Sequence, residues 1–215
     1  MHDYDTPSED FIRCMIGYPR SRENHELTEP YNIGGHADFG SLTMLFEQNV
    51  LGLQMLSREG EWLWVKPVPG GITINAGESL QHMTKGMGSQ CLVVVLNHRC
   101  WIYCSVRVGL YVGYVKATIH RVHAPPDDQL TYERLGCIYF CNVGNGYDLC
   151  PVPSPLLKRL GLITDADLDP AKQYPNGGEY VTSRRRNVHN VNVFRKRKVG
   201  KTDNVGGLTV QSHWD

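Results

Sequence analysis

The sequence predicts a mainly β fold, a sandwich or barrel, on three observations. Apolar β-prone runs are short, turn residues recur between them, and helical periodicity is confined to the stretch beyond Pro155. The first run, Phe11 to Tyr18, is closed by Pro19, as a strand ending in a turn would be. A polar loop, Arg20 to Gly35, follows. Ser41 to Phe46, Val50 to Leu56 and Trp62 to Val65 read as strands, and Pro67, Pro69, Gly70 and Gly71 mark the turn before the run Ile72 to Asn75. Glu78 to Lys85 is the one helical turn expected in this half. Val115 to Val122 and Arg134 to Cys141 are predicted strands on either side of the loop Ala124 to Glu133. Beyond Pro155, the stripe Leu156, Leu157, Leu160 and Leu162 predicts one helix and Glu179 to Asn187 a second, both outside the β core.

At 215 residues, 41% hydrophobic and 20% charged, the chain can bury one substantial core. Residues 1–190 are read as one domain and residues 191–215 as a polar tail, its basic run Arg195 to Lys198 solvated. Lysine plus arginine balances aspartate plus glutamate at 22 each, so no net field favours nucleic acid or an anionic membrane, and a small-molecule partner fits better. The seven cysteines include no C-x-x-C pair, and most lie in apolar runs where cysteine is a small hydrophobe. Cys100 and Cys104 have the spacing of half a zinc site, but nothing completes it. The odd count and the missing signal peptide point to a reducing cytoplasm. The longest apolar stretch, Cys91 to Val115, is interrupted by Asn97, His98, Arg99, Ser105 and Arg107, too many polar groups for a bilayer span.

The informative spacing is His36-Ala37-Asp38, followed by a distant His120 at a strand end and by Arg134 at the start of the next strand. Residues two apart on a strand share a face, so His36 and Asp38 can point into one cavity. With a second imidazole they make the facial set of non-haem Fe(II), which leaves three adjacent positions open, two for a bidentate 2-oxo acid and one for O2. An arginine adds a planar, permanently charged fork for the far carboxylate of that acid. Taken alone, H-x-D also arises by chance and serves as a surface hydrogen bond.

The neighbouring residues extend the pattern. The stretch from Gly35 to Leu45 resembles the H-T-D-x-G-x-L-T-x-L segment of the isopenicillin N synthase-like group of Fe(II)/2-oxoglutarate oxygenases. Gly52-Leu53-Gln54 with Trp62 resembles its G-L-Q-V…W segment, and Ile74 to Gln81 its I-N-x-G-D-x-L-Q turn. Lys116 to Val122 is similar to its K-S-x-x-H-R-V strand, which singles out His120 over His123, as strand periodicity also does. Arg134-Leu135-Gly136 to Phe140 is similar to its R-x-S-x-x-x-F strand. The resemblance runs from about Phe11 to about Arg186.

It implies a double-stranded β-helix, or jelly-roll, with C-terminal helices. His36, Asp38 and His120 would hold Fe(II), and Arg134, with Tyr18 beside it, would bind 2-oxoglutarate as cosubstrate. The implied reaction oxidises a small organic molecule with O2, giving succinate and CO2, with hydroxylation the commonest outcome. Neither nucleic acid nor membrane is implied as a partner. An oxidase that uses iron and O2 without 2-oxoglutarate stays open, as does a non-catalytic truncated product.

Four departures accompany the resemblance. Gly136 stands at the family's serine, removing a hydroxyl donor worth about 1–3 kcal/mol if its partner is left unpaired. Ile16 stands where an asparagine usually precedes the tyrosine. The long region that family members carry before the first strand is missing, which would expose edge backbone and apolar surface. About 27 residues, Met87 to Gly113, intervene where the family passes almost directly from a turn like Thr84-Lys85-Gly86 to a strand like the one from Tyr114. That segment reads either as a mis-joined exon boundary or as an added β-hairpin.

Overall fold

The computed structural model describes residues 1–27, 31–57, 59–86, 93–97, 100–102, 115–189, 202–205 and 207–211. The main sheet has six antiparallel strands. Its members are β1 (Phe11–Gly17), β3 (Leu42–Phe46), β6 (Gly71–Ala76), β7 (Val93–Asn97), β8 (Cys100–Ile102) and β10 (Arg134–Cys141), in the order β1-β10-β3-β6-β7-β8. A second sheet, of order β2-β9-β4-β5, contains β2 (Tyr31–His36), β4 (Leu53–Leu56), β5 (Trp62–Trp64) and β9 (His120–His123).

Strand alternation builds the space between the sheets. Phe11, Arg13 and Met15 of β1, Arg134, Ile138 and Phe140 of β10, and Thr43 and Leu45 of β3 are each spaced by even numbers and line one cavity. Ile33 and His36 of β2, Leu53 of β4, and His120 and Val122 of β9 close it from the other side. The result is the expected mainly β, jelly-roll core.

The helices are α1 (Arg22–Leu27), α2 (Glu78–Met83), α3 (Pro155–Arg159) and α4 (Gly177–His189). Met83 of α2 and Tyr180 and Val181 of α4 are buried in one cluster with Val143, Leu149 and Val205. Burying each such side chain contributes about 1.5–3 kcal/mol, so this cluster pins the helical layer to the sheet end that carries the site. Val205 comes from a hairpin, β11 (Thr202–Val205) with β12 (Leu208–Gln211). The expected polar tail therefore folds back in part, because it carries an apolar residue that α4 can cover. Its basic run lies outside the described residues.

Three further expectations change. The loop expected from Arg20 to Gly35 contains α1 and β2. Its two glycines fall in an irregular strand whose pairing with β9 shifts between Tyr31 and Ile33 and again between Ile33 and His36. The strand expected from Val115 to Val122 shortens to His120–His123. Backbone donors before it go elsewhere, Ala117 N–H to the Gln81 side chain at 2.7 Å and Thr118 N–H to Ala76 O at 3.0 Å. The leucine stripe after Pro155 gives only the five-residue α3, in which Leu157 alone is buried.

Val93–Asn97 and Cys100–Ile102, inside the segment absent from the family pattern, pair onto the β6 edge as an antiparallel hairpin. The remainder of that segment, including Cys91 and Cys104, lies outside the described residues. Ile12 and Ile16 of the edge strand β1 are exposed. Among the described residues no helix is long and apolar enough to cross a membrane.

Candidate metal centre

His36 ends β2 and His120 begins β9, and the two are direct partners across the antiparallel pair. Their rings lie 4.4 Å apart between centroids. Asp38 follows β2 by two residues, and its Oδ1 lies 3.6 Å from His36 Nε2 and 3.7 Å from His120 Nε2. One ligand atom from each residue falls within 4.8 Å of the others. No other group of three such residues among those described has this property.

Each side chain is aimed from behind. His36 Nδ1 lies 2.9 Å from Gly34 O and His120 Nδ1 lies 3.0 Å from Thr118 O. A carbonyl only accepts, so both Nδ1 atoms carry the proton and both Nε2 atoms are turned toward Asp38. Asn75 of β6 donates to Asp38 Oδ2 at 3.0 Å, which leaves Oδ1 facing the imidazoles. Burial, reinforced by His120, lowers His36 to about 4, so its ring is neutral near pH 7. Burial alone would raise Asp38, but His120, His36 and the Asn75 amide hold it below the usual carboxylate range.

The loop bearing Asp38 is fixed by close backbone packing. A Cβ on Gly40 would sit 2.5 Å from Cys141 O, and one on Gly77 would sit 2.2 Å from Gly40 O, so neither position has room for a side chain. Glu78 N–H, at the start of α2, donates to Asp38 O at 2.8 Å. The Glu78 side chain is buried and meets Arg184 of α4 in two contacts of 2.9 Å, with the Tyr180 hydroxyl also 2.9 Å away. On the opposite side, the buried Arg121 Nε donates to Gln54 Oε1 at 2.7 Å and its guanidinium lies over Trp62 at 4.1 Å. That contact sets β9 against β4 and β5, with His120 directed inward and its neighbour Arg121 outward.

The cavity beside the triad has a volume of about 390 Å³, within the range of small-molecule sites. Arg134 lines it, paired in register with Gly17, and burial lowers its guanidinium from the usual value. Among the sequence-derived candidates, His36, Asp38, His120 and Arg134 share this cavity. Tyr18 does not line it and is 71% exposed, because the chain leaves the sheet just after Gly17. His123 lies at the other end of β9 against Trp64, and His82 lies against Tyr180. Sequence reasoning assigned no role to Asn75 or Gln48, both cavity residues. The I-N-x-G motif contains the first, while nothing local marks the second.

The chain is similar to several known proteins. It is 37% identical over 146 residues to a 2-oxoglutarate-Fe(II) type oxidoreductase of Metarhizium rileyi, covering 61% of this chain and 38% of that protein. It is 31% identical over 96 residues to a homoarginine-6-hydroxylase of Oryza sativa, covering 43% of this chain and 29% of that one. The chain thus spans less than half the length of these curated relatives. The fold matches that of a full-length Neurospora crassa protein solved in complex with alpha-KG, with TM-score 0.59 and 21% identity, over 82% of this chain and 44% of that one. It also matches a rice dioxygenase for auxin oxidation, with TM-score 0.52 and 17% identity, over 84% of this chain and 46% of that one. The family model of the 2OG-Fe(II) oxygenase superfamily matches residues 9–143, a span that holds both histidines, the aspartate and the arginine, and the chain belongs to that superfamily.

Proposed function

We propose that this chain carries the catalytic core of an Fe(II)- and 2-oxoglutarate-dependent dioxygenase acting on a small organic molecule. The observation that supports it most is the convergence of two oriented imidazole nitrogens and one carboxylate oxygen at a cavity that also holds Arg134. Two nitrogens and one oxygen on a single side of a point suit Fe(II) and leave the cavity side open.

His36, Asp38 and His120 would hold the iron. When bound, iron supplies the oxygen chemistry that couples decarboxylation of 2-oxoglutarate to succinate and CO2 with oxidation of the substrate. The protein's part is placement. Gly34 O and Thr118 O fix the two rings, Asn75 fixes the carboxylate, and Arg134 would take the distal carboxylate of 2-oxoglutarate as a charge-assisted fork. Ile33, Leu45, Leu53, Val122, Ile138 and Phe140 form apolar walls that limit water and strengthen the charge interactions inside.

The test is anaerobic titration of the purified chain with Fe(II) and then 2-oxoglutarate, following the weak visible charge-transfer band of the iron and keto-acid chelate. The band appears with the wild type and is lost with His120→Ala. Iron binding without the band supports an oxidase that does not use 2-oxoglutarate. Failure to bind iron refutes the metal assignment.

A further inference from the structure

Gly136 lies two residues after Arg134 on β10, where a side chain would point toward the same cavity wall. A Cβ built there would sit 2.8 Å from Gln48 Nε2, so the space beside Gly136 is taken by the end of the Gln48 side chain. Gln48 is 7% exposed and lines the cavity with Arg134. Its Oε1 accepts from Arg134 Nη1 at 3.1 Å, and its Nε2 donates to Leu135 O at 2.9 Å. Arginine only donates and a carbonyl only accepts, so the amide orientation is fixed by its partners. An amide nitrogen carries two hydrogens, and Leu135 O uses one. Arg134 also packs along Gly52, where a Cβ would sit 3.1 Å from its Cδ. Among the described residues, Gln48 Oε1 is thus the polar partner of the guanidinium, which lies where Gly52 carries no side chain.

We propose that Gln48 is a cosubstrate-binding residue that replaces a hydroxyl at position 136. Its Oε1 fixes the Arg134 fork, and its second amide hydrogen is donated to the distal carboxylate of 2-oxoglutarate. The inference rests on the 2-oxoglutarate reading given above. It treats Gly136 and Gln48 as one unit, the glycine existing to admit the amide.

The test is the affinity of the metal-loaded chain for 2-oxoglutarate, measured by anaerobic calorimetry with Mn(II) as an inert substitute and by the visible band with Fe(II). Gln48→Ala weakens 2-oxoglutarate by about tenfold or more, the worth of a hydrogen bond to a charged group, and leaves Mn(II) affinity unchanged. Gly136→Ser alone also weakens it, because the new Cβ displaces the amide. The double variant Gln48→Ala with Gly136→Ser binds more tightly than either single variant, since the hydroxyl then has the space. An unchanged affinity in Gln48→Ala, or a tighter one in Gly136→Ser alone, overturns this inference while leaving the dioxygenase reading standing. Absence of 2-oxoglutarate binding by the metal-loaded wild type overturns both.

Discussion

Replacing Arg184 with methionine removes one half of the buried ion pair with Glu78. The two side chains are 3% and 6% exposed, so bulk water screens neither, and two parallel contacts of 2.9 Å join them. Opposite charges about 4 Å apart attract by about 4 kcal/mol at an effective dielectric of about 20. Removing one partner of such a pair costs about 3–5 kcal/mol, because the survivor stays buried and uncompensated. Against a total stability of about 5–15 kcal/mol, the loss is large enough to unfold a marginal domain. Methionine keeps much of the packing over Phe39, where the guanidinium lies 4.9 Å from the ring, so the charge is the main loss.

The sign of the pH dependence follows from the same pair. Burial already pushes the Glu78 carboxyl up, while Arg184 and Tyr180 pull it back. Without Arg184 the folded variant takes a proton at higher pH than its unfolded chain does. The variant's deficit therefore shrinks on acidification, as the stranded carboxylate takes up its proton in the folded state. Urea unfolding of the metal-free wild type, Arg184→Met, and Arg184→Met with Glu78→Leu measures all three terms. The single variant is expected to lose about 3–5 kcal/mol and the double, with no stranded charge, to recover most of it. A single-variant loss below about 1 kcal/mol, a double variant no more stable than the single, or a deficit that widens toward acid would refute the reasoning.

Burial, with the charges of Arg184 and Lys85, lowers His82 to about 4, so its unfolded form takes a proton first and stability falls as pH drops from about 6.5 toward 4, by about 3 kcal/mol. His82→Gln should flatten that slope in urea midpoints, and an unchanged slope counts against the assignment. Cys14 and Cys137 are partners across β1 and β10 with Sγ atoms 3.8 Å apart, so exchange with oxidised glutathione should join them with loss of two hydrogens from the protein. Peptide mapping without reductant detects the bridge, and two alkylatable thiols after the treatment would exclude it. Gly86 and Val115 touch, since a Cβ on Gly86 would sit 2.1 Å from Val115 O, so a chain with Gly86 joined to Tyr114 should still fold and bind Mn(II). Loss of Mn(II) binding on that excision would show that the β7 and β8 hairpin supports the site.

The strand Arg134 to Cys141 was legible because one residue run supplies alternation, cavity-facing side chains and a single ladder on each side. The stretch before His120 was not, because its apolar run resembles a strand while its backbone donors are taken by Gln81 and Ala76. No local pattern reports where a donor finds its acceptor. The hairpin after residue 201 was missed for a related reason. A polar tail with scattered valines is indistinguishable from a solvated one until α4 is in place to cover Val205.

The candidate site shows the same division. His36 and Asp38 are two residues apart, and a spacing of two on a strand is a geometric statement that needs no other part of the chain. His120 and Arg134 were reached through motifs that bring their own neighbours. Tyr18 was carried by the same resemblance, but its position depends on where the chain leaves β1, and the structure turns it out to solvent. Gln48 lies 86 residues from Arg134, and its contact with position 136 exists only after β10 pairs with β3. Read one position at a time, Gly136 is a lost donor. Read with Gln48, it is the space that a different donor occupies. The two readings differ in the sign of the Gly136→Ser effect on 2-oxoglutarate affinity, because only the second makes an added hydroxyl harmful while the glutamine is present.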